Sequence, residues 1–214
     1  MYDYVLFDLD GTLSDTSEGV TKGVQIALRE FGIEEELDNL RKFIGPPLTY
    51  SFSHFCGFDE EQTKKAIEIY RAYYLGGGLY ENKPYDGLHE LLDKLRASGK
   101  YLAVATSKLD SAAVDVLTRN GLAKHFDMII GATDDGRITT KIDVLNEFFA
   151  RTGNPDKSRV VLIGDTHFDA EGANAAGIEC IGVLYGFGTR EELEECGVVK
   201  FADTVEDIYQ LIEG

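Results

Sequence analysis

Asp8 and Asp10 stand two residues apart just beyond the apolar run Tyr4–Phe7, with Gly11 and Thr12 following. On an extended chain, residues two apart point to the same side, so these carboxylates crowd one another. A shared proton or a bound cation relieves such crowding. A hard divalent ion such as Mg²⁺, which takes a few carboxylates plus water and phosphate oxygens, suits the pair. Three more segments carry matching chemistry: Thr106-Ser107, Lys141, and Gly164-Asp165-Thr166 with Asp169 beyond. Hydroxyl and ammonium groups bind phosphate, and further carboxylates bind its metal, so the set points to phosphoryl transfer.

Each segment also has a plainer reading. Asp10-Gly11 could close a hairpin, but that leaves Asp8 unexplained at the end of a buried strand. A calcium loop needs Gly where Leu13 stands and an acidic residue or Asn where Thr12 stands. Lys141 could be a surface lysine, yet a cation in a first helical turn opposes the helix dipole and asks for a reason. Asp169 could serve only the dipole of its own helix.

The elements that must position these residues are legible in the hydrophobic pattern. Tyr4–Phe7, Tyr101–Thr106, Met128–Gly131, Arg159–Gly164 and Glu179–Leu184 are short apolar runs. They read as strands of a parallel sheet buried on both faces. Between them the periodicity predicts helices over Asp86–Ser98, Asp110–Asn120, Lys141–Thr152 and Phe168–Ala176. Gly99, Gly121, Gly153 and Gly177 follow as C-terminal caps. Asp110 is the expected N-cap of its helix. Alternation of this kind makes a doubly wound α/β fold, whose ligands sit outside the carboxyl ends of the strands.

The stretch before Pro84 breaks the alternation. A helix over Thr16–Phe31, with an Asp15/Glu18 capping box at its start, is followed by further helices, the longest near Glu60–Leu75. No strand is expected there. About 65 helical residues inserted after the first catalytic strand read as a separate lid, with Gly76–Gly78 as a helix stop or a hinge. Tyr70 and Tyr74 share a face of the long helix. With Arg71 and the rigid loop Phe43–Pro47, they are either packing residues or a surface on which a base could stack.

Asp-x-Asp-Gly-Thr, Thr-Ser, Lys and Gly-Asp-Thr-x-x-x-Asp, in this order and spacing, resemble the four motifs of the haloacid-dehalogenase-like phosphohydrolases. The likeness runs from Tyr4 to about Ala202. Within that superfamily the chain resembles the phosphoglycolate-phosphatase-like group. Tyr70-Arg71, Leu79–Asn82, Tyr85–Gly87 and Gly182–Gly186 are similar to its branch described as 5′-nucleotidases.

The resemblance implies a Rossmann-like core over residues 1–14 and 84–214 and a helical cap over 15–83. It implies that Asp8 is the nucleophile and carries an aspartyl-phosphate, and that Asp10 is general acid and then base. Thr106 would donate to the phosphate and Lys141 would neutralise it. Mg²⁺ would be held by Asp8, the main-chain carbonyl of Asp10, and Asp165. Asp169 would reach the ion through water or else hold Lys141 in place. Ser107, Lys108, Gly45, Tyr70 and Arg71 are candidate substrate contacts. Many relatives carry Lys-Pro where this chain has Lys141-Ile142, a departure that points toward the nucleotidase-like branch. Nucleoside 5′-monophosphates are the expected substrates. Phosphoglycolate, sugar phosphates and a mutase reaction are the enzymatic alternatives, and a phospho-accepting receiver module or an inactive binder the non-enzymatic ones.

Composition sets the outer bounds. The 214 residues, 43% of them apolar, suffice for one large domain or a domain with an insertion. A net charge of −17 argues against nucleic-acid polymers and anionic membranes as partners, and leaves small phosphorylated metabolites that local positive charge can hold. Cys56, Cys180 and Cys196 lack close pairing, which fits reduced thiols in a cytoplasmic protein, with Cys180 in the core. No apolar run approaches the roughly 18 residues of a membrane span. Monomer and homodimer both remain open.

Overall fold

The computed structural model describes all 214 residues. β1 (Tyr4–Phe7) is followed by a two-residue strand β2 (Ser14–Asp15) and by α1 (Ser17–Arg29), α2 (Leu48–Cys56) and α3 (Glu60–Gly76). After β3 (Lys83–Pro84), helix and strand alternate through α4 (Leu88–Ala97), β4 (Tyr101–Leu109), α5 (Asp110–Arg119), β5 (Met128–Ala132) and α6 (Lys141–Thr152). Then come β6 (Val160–Gly164), α7 (His167–Ala176), β7 (Glu179–Val183), α8 (Arg190–Glu195), β8 (Lys200–Ala202) and α9 (Val205–Glu213).

Six strands form one parallel sheet in the order β5-β4-β1-β6-β7-β8. The chain leaves β1 toward β4 and β5, then returns to β1's other side with β6 and continues outward. The order therefore reverses beside β1, and the carboxyl end of β1 is the switch point where such folds bind ligands. Alternate residues enter two separate cores. Val5, Phe7, Leu102, Val104, Val161 and Ile163 face one. Leu6, Ala103, Ala105, Val160 and Leu162 face the other, where Cys180 is also buried. Burial on both faces is why these strands read as unbroken apolar runs.

α1, α2 and α3 send Val20, Val24, Phe52 and Tyr70 into the first of these cores, so one apolar cluster joins the inserted helices to the sheet. The two ends of the insertion are clasped together. β2 and β3 pair antiparallel, Ser14 opposite Pro84 and Asp15 opposite Lys83. That strand pair was not anticipated, because two residues are too few to show a period. Gly77 stops α3, its N–H returning to the carbonyls of Tyr73 and Tyr74.

Two expected caps differ. α1 has Thr16 at its N-cap and no side-chain cap. Asp15 Oδ1 instead accepts from the N–H and hydroxyl of Ser17, a tighter turn that competes with the capping box. Asp110 lies inside α5, and its carboxylate accepts from Gly131 N–H at 3.1 Å, tying the helix to β5. β4 also runs to Leu109, with its register against β5 interrupted between Ala105 and Leu109. The interruption takes Thr106, Ser107 and Lys108 out of the ladder at the site's rim.

Candidate active site

The end of β1 is bonded to the sheet through Asp8, whose N–H donates to Ile163 O at 2.9 Å. The chain then folds back on itself, with Leu9 O accepting from Leu13 N–H at 2.9 Å and Ser14 N–H at 3.0 Å. Gly11 sits in this turn at φ +83°, where a Cβ would stand 2.0 Å from Asp165 Oδ2. Only glycine meets both demands. Thr12 donates from Oγ1 to Asp165 Oδ1 at 3.3 Å, and Phe187 N–H donates to Asp165 Oδ2 at 2.7 Å. Asp165, fully buried at the end of β6, is thus fixed from two loops.

Lys141 opens α6, whose capping box is made by Thr140 and Asp143. Its ammonium lies 2.8 Å from Asp8 Oδ1, 2.8 Å from Asp169 Oδ1, and donates to Ala105 O at 2.8 Å. The two carboxylate contacts are close ion pairs between buried groups. Three acceptors around one buried cation explain a lysine at a helix start better than the dipole does. Asp169 divides its work: Oδ1 meets Lys141, while Oδ2 accepts from Thr166 N–H at 3.1 Å and caps α7. The alternative of Asp169 as Lys141's holder is thereby realised in the geometry.

Asp8, Asp165 and Asp169 bring carboxylate oxygens within 4.8 Å of one another, all buried. Burial pushes the Asp8 carboxyl up to about 6, with Lys141 pulling against Asp169 and Asp10. Burial, then Asp169 and Asp8, drive Asp165 well above the ordinary carboxylate range. Burial works against the Lys141 charge, but Asp169 and Asp8 outweigh it and raise its pKa. Four carboxylates (Asp8, Asp10, Asp165, Asp169) meet two ammoniums (Lys108, Lys141), a deficit of two positive charges. An all-oxygen donor set with that deficit fits a hard divalent cation.

Asp10 faces elsewhere. Its Oδ2 pairs with Lys108 Nζ at 2.8 Å, and its Oδ1 is buried without a hydrogen-bond partner. The Asp10 carboxylate stands outside the three-carboxylate cluster, as expected of a residue that would offer a metal only its main-chain carbonyl. Lys108 Nζ also lies 4.8 Å from the centroid of the Tyr74 ring. Thr106 is buried, and its Oγ1 accepts from Lys108 N–H at 3.2 Å. The hydroxyl therefore shapes the turn that sends Lys108 inward and keeps its own proton to donate.

Between the sheet's carboxyl edge and the inserted helices lies a cleft of about 930 Å³, counted to its open mouth. The space within it that water can occupy is about 160 Å³, below the roughly 300–1,000 Å³ of drug-sized sites. Asp10, Ser107 and Lys108 line it from the sheet side, and Gly45, Tyr70, Arg71 and Tyr74 from the other. All five candidate substrate contacts therefore share one cavity, with the apolar loop Phe43–Leu48 as a wall.

Tyr70 lines the cleft but is packed on two sides. It stacks on Tyr74 at 5.2 Å and 14°, and a Cβ on Gly23 of α1 would come within 2.9 Å of its ring. Of the two readings of these rings, packing accounts for the faces covered in this way. Sequence reasoning missed Thr12 and Phe187, which hold Asp165, and the segment after β5. That segment lines the cleft with Thr133, Ile138 and Thr139, and its Asp134 lies 3.7 Å from Arg71. Thr12 lay inside a quoted motif; the others had no periodic or compositional signal.

Comparison with known proteins comes to the same place. The family model for haloacid dehalogenase-like hydrolases matches residues 5–183. A Pseudomonas aeruginosa protein named 5′-nucleotidase is 39% identical over 213 residues, covering 99% of this chain and 96% of its own. A Mycobacterium tuberculosis protein named tyrosine-protein kinase PtkA is 36% identical over 211 residues, covering 97% of this chain and 72% of its own. The crystal structure of a predicted phosphatase from Clostridium acetobutylicum superposes with a TM-score of 0.95 at 42% identity, covering 99% of this chain and 98% of that one.

Proposed function

Because the chain belongs to the haloacid dehalogenase-like hydrolase family, we propose that this phosphatase acts on nucleoside 5′-monophosphates through an aspartyl-phosphate on Asp8. The carrying observation is the buried constellation around Lys141. One ammonium 2.8 Å from both Asp8 and Asp169, beside a third carboxylate, is suited to a phosphoryl group next to a cation.

Asp8 attacks phosphorus, and the bond to the ester oxygen breaks. Lys141 engages Oδ1 and leaves Oδ2 without a protein partner, free for the attack. Protonated Asp10 gives its proton to the departing alkoxide. As carboxylate it then takes a proton from water, whose oxygen attacks phosphorus and releases Asp8. Lys108 holds Asp10 in place between these tasks. Asp8 and Asp165, with the Asp10 carbonyl, would hold Mg²⁺ directly and Asp169 through water, and the ion when bound would neutralise charge on the phosphoryl oxygens. Residues 15–83 act as a cap over the core formed by 1–14 and 84–214.

The nucleotide preference rests on the cleft. Its walls are mostly apolar, and of its two cations Lys108 is paired closely with Asp10 while Arg71 has a long, exposed contact with Asp134. A neutral nucleoside suits such walls, whereas the carboxylate of phosphoglycolate needs a cation of its own. The test is phosphate release from nucleoside 5′-monophosphates, phosphoglycolate, sugar phosphates and phosphotyrosine, with Mg²⁺ and with chelator. Nucleotides in first place, with an acid-stable, hydroxylamine-sensitive label on the protein, is the expected result. Preference for another ester overturns the substrate assignment, and absence of the label overturns the covalent route.

A further inference from the structure

Three buried polar atoms of the cleft have no hydrogen-bond partner: Asp10 Oδ1, the Tyr74 hydroxyl and Arg71 Nε. Native proteins rarely bury such groups unpaired, and each asks for an explanation. Asp10 has one in the proton transfers above. The other two are donors that the chemistry does not use.

Tyr74 is only 4% exposed. One face of its ring is covered by Tyr70 at 5.2 Å, and Lys108 Nζ lies over the ring at 4.8 Å. Its hydroxyl is buried in the lining of the cleft. Lys108 is near enough to donate to the phenol oxygen, although its ammonium is also paired with Asp10 at 2.8 Å, and the hydroxyl proton itself meets no acceptor. Arg71 turns a terminal nitrogen outward to Asp134, and its Nε–H stays buried on the same helix, α3.

We propose that the Tyr74 hydroxyl and Arg71 Nε–H are the specificity-determining donors of the cleft, reading ether or hydroxyl oxygens of an uncharged, sugar-like leaving group. The inference deepens the nucleotide reading and rests on it. Tyr74 neighbours Lys108 and through it Asp10, the group that must reach the ester oxygen. The atoms within its reach are therefore those next to the ester, the sugar rather than the base. A phenol O–H and a single guanidinium N–H each donate, and ether or hydroxyl oxygens accept from both. A substrate lacking those oxygens leaves both donors buried and unpaired, which is how such sites reject analogues.

The experiment compares Tyr74→Phe and Arg71→Met with the parent, measuring kcat/KM for the ester the parent prefers and for phenyl phosphate, whose leaving group offers no further oxygen. Phe keeps the ring stack and deletes only the hydroxyl. The ratio of preferred ester to phenyl phosphate should fall roughly tenfold in Tyr74→Phe, the scale of one lost hydrogen bond. A 2′,3′-dideoxynucleotide, if nucleotides are preferred, shows whether the lost bond went to a ribose hydroxyl or to the ring oxygen. An unchanged ratio in both variants overturns the proposal, as does a parent with no preference over phenyl phosphate. If the preferred ester is not a nucleotide but the ratio still falls, the nucleotide reading fails while the donors' role stands.

Discussion

Lys141 Nζ and Asp8 Oδ1 are 2.8 Å apart, with side chains only 5% and 6% exposed. Asp169 is equally close to the same ammonium. Removing one member of a buried pair leaves uncompensated charge and costs about 3–5 kcal/mol. Lys141→Met should therefore lower urea stability in chelator by that order, and added Mg²⁺ should restore part of it. Phosphate release should fall at least 100-fold, the scale on which a preorganised charge acts. Parent-like turnover would remove Lys141 from the site.

Asp8→Asn tests the nucleophile and the electrostatics together. Turnover should vanish, because the amide cannot form the acyl-phosphate. Metal-free stability should hold or rise, since the change relieves one of the cluster's excess negative charges. The pH dependence follows in sign. A carboxyl raised from 3.8 to about 6 binds its proton more tightly in the folded state. Its contribution favours folding below pH 4 and is lost as pH rises toward 6. In chelator the parent should lose stability against Asp8→Asn across that window. The opposite slope in paired urea titrations would contradict the assigned burial.

Mg²⁺ should raise the melting temperature, because an ion bound only by the folded state stabilises it by about 2.7 kcal/mol at 100 times its Kd. Asp165→Asn loses one anionic ligand while Thr12 and Phe187 still hold the side chain. The Mg²⁺ concentration for half-maximal shift should rise at least tenfold. Thermal melts suffice for this and require no substrate. An identical midpoint would place the ion elsewhere.

Asp8, Asp165 and Lys141 were legible because each follows a buried strand or opens a helix, where the apolar run or the period marks the place. Five of the sheet's six strands were legible for the same reason, within a few residues at their ends. β8, α8 and α9 carried no chemistry and were not expected as elements. Asp110 and Asp134 were misread or missed because tertiary geometry chose their partners Gly131 and Arg71, and Asp15 because a local turn to Ser17 competes with the capping box. Tyr70 and Tyr74 were recognised as one helix face, but only the packing against Gly23 and Lys108 shows which parts of the rings are covered.

Gly172→Ala sets helix propensity against the site. In a helix interior alanine should stabilise by about 1 kcal/mol over glycine. Here the added Cβ would stand 2.5 Å from Lys141 Cγ and 2.8 Å from its Cβ. Lys141 cannot step aside, since its backbone opens α6 and its ammonium is held by Asp8, Asp169 and Ala105. Displacement should win: no gain in stability, and kcat down by more than tenfold. A more stable, fully active variant would show that the lysine's position is not fixed by this contact.

Arg71 and Asp134 join α3 to the loop after β5 at 3.7 Å, with side chains 42% and 76% exposed. A pair so long and so wet contributes about 0–1 kcal/mol to stability. Neither Arg71→Ala nor Asp134→Ala should then shift the melting temperature by more than a degree or two. Their effects on catalysis should part company. Arg71→Ala removes a cleft donor and should raise KM for the preferred ester severalfold. Asp134→Ala removes only the outward restraint on the guanidinium and should leave KM unchanged or lower it. Equal increases in KM from both variants would mean that the pair works as a tether between cap and core, and that Arg71 does not itself touch the substrate.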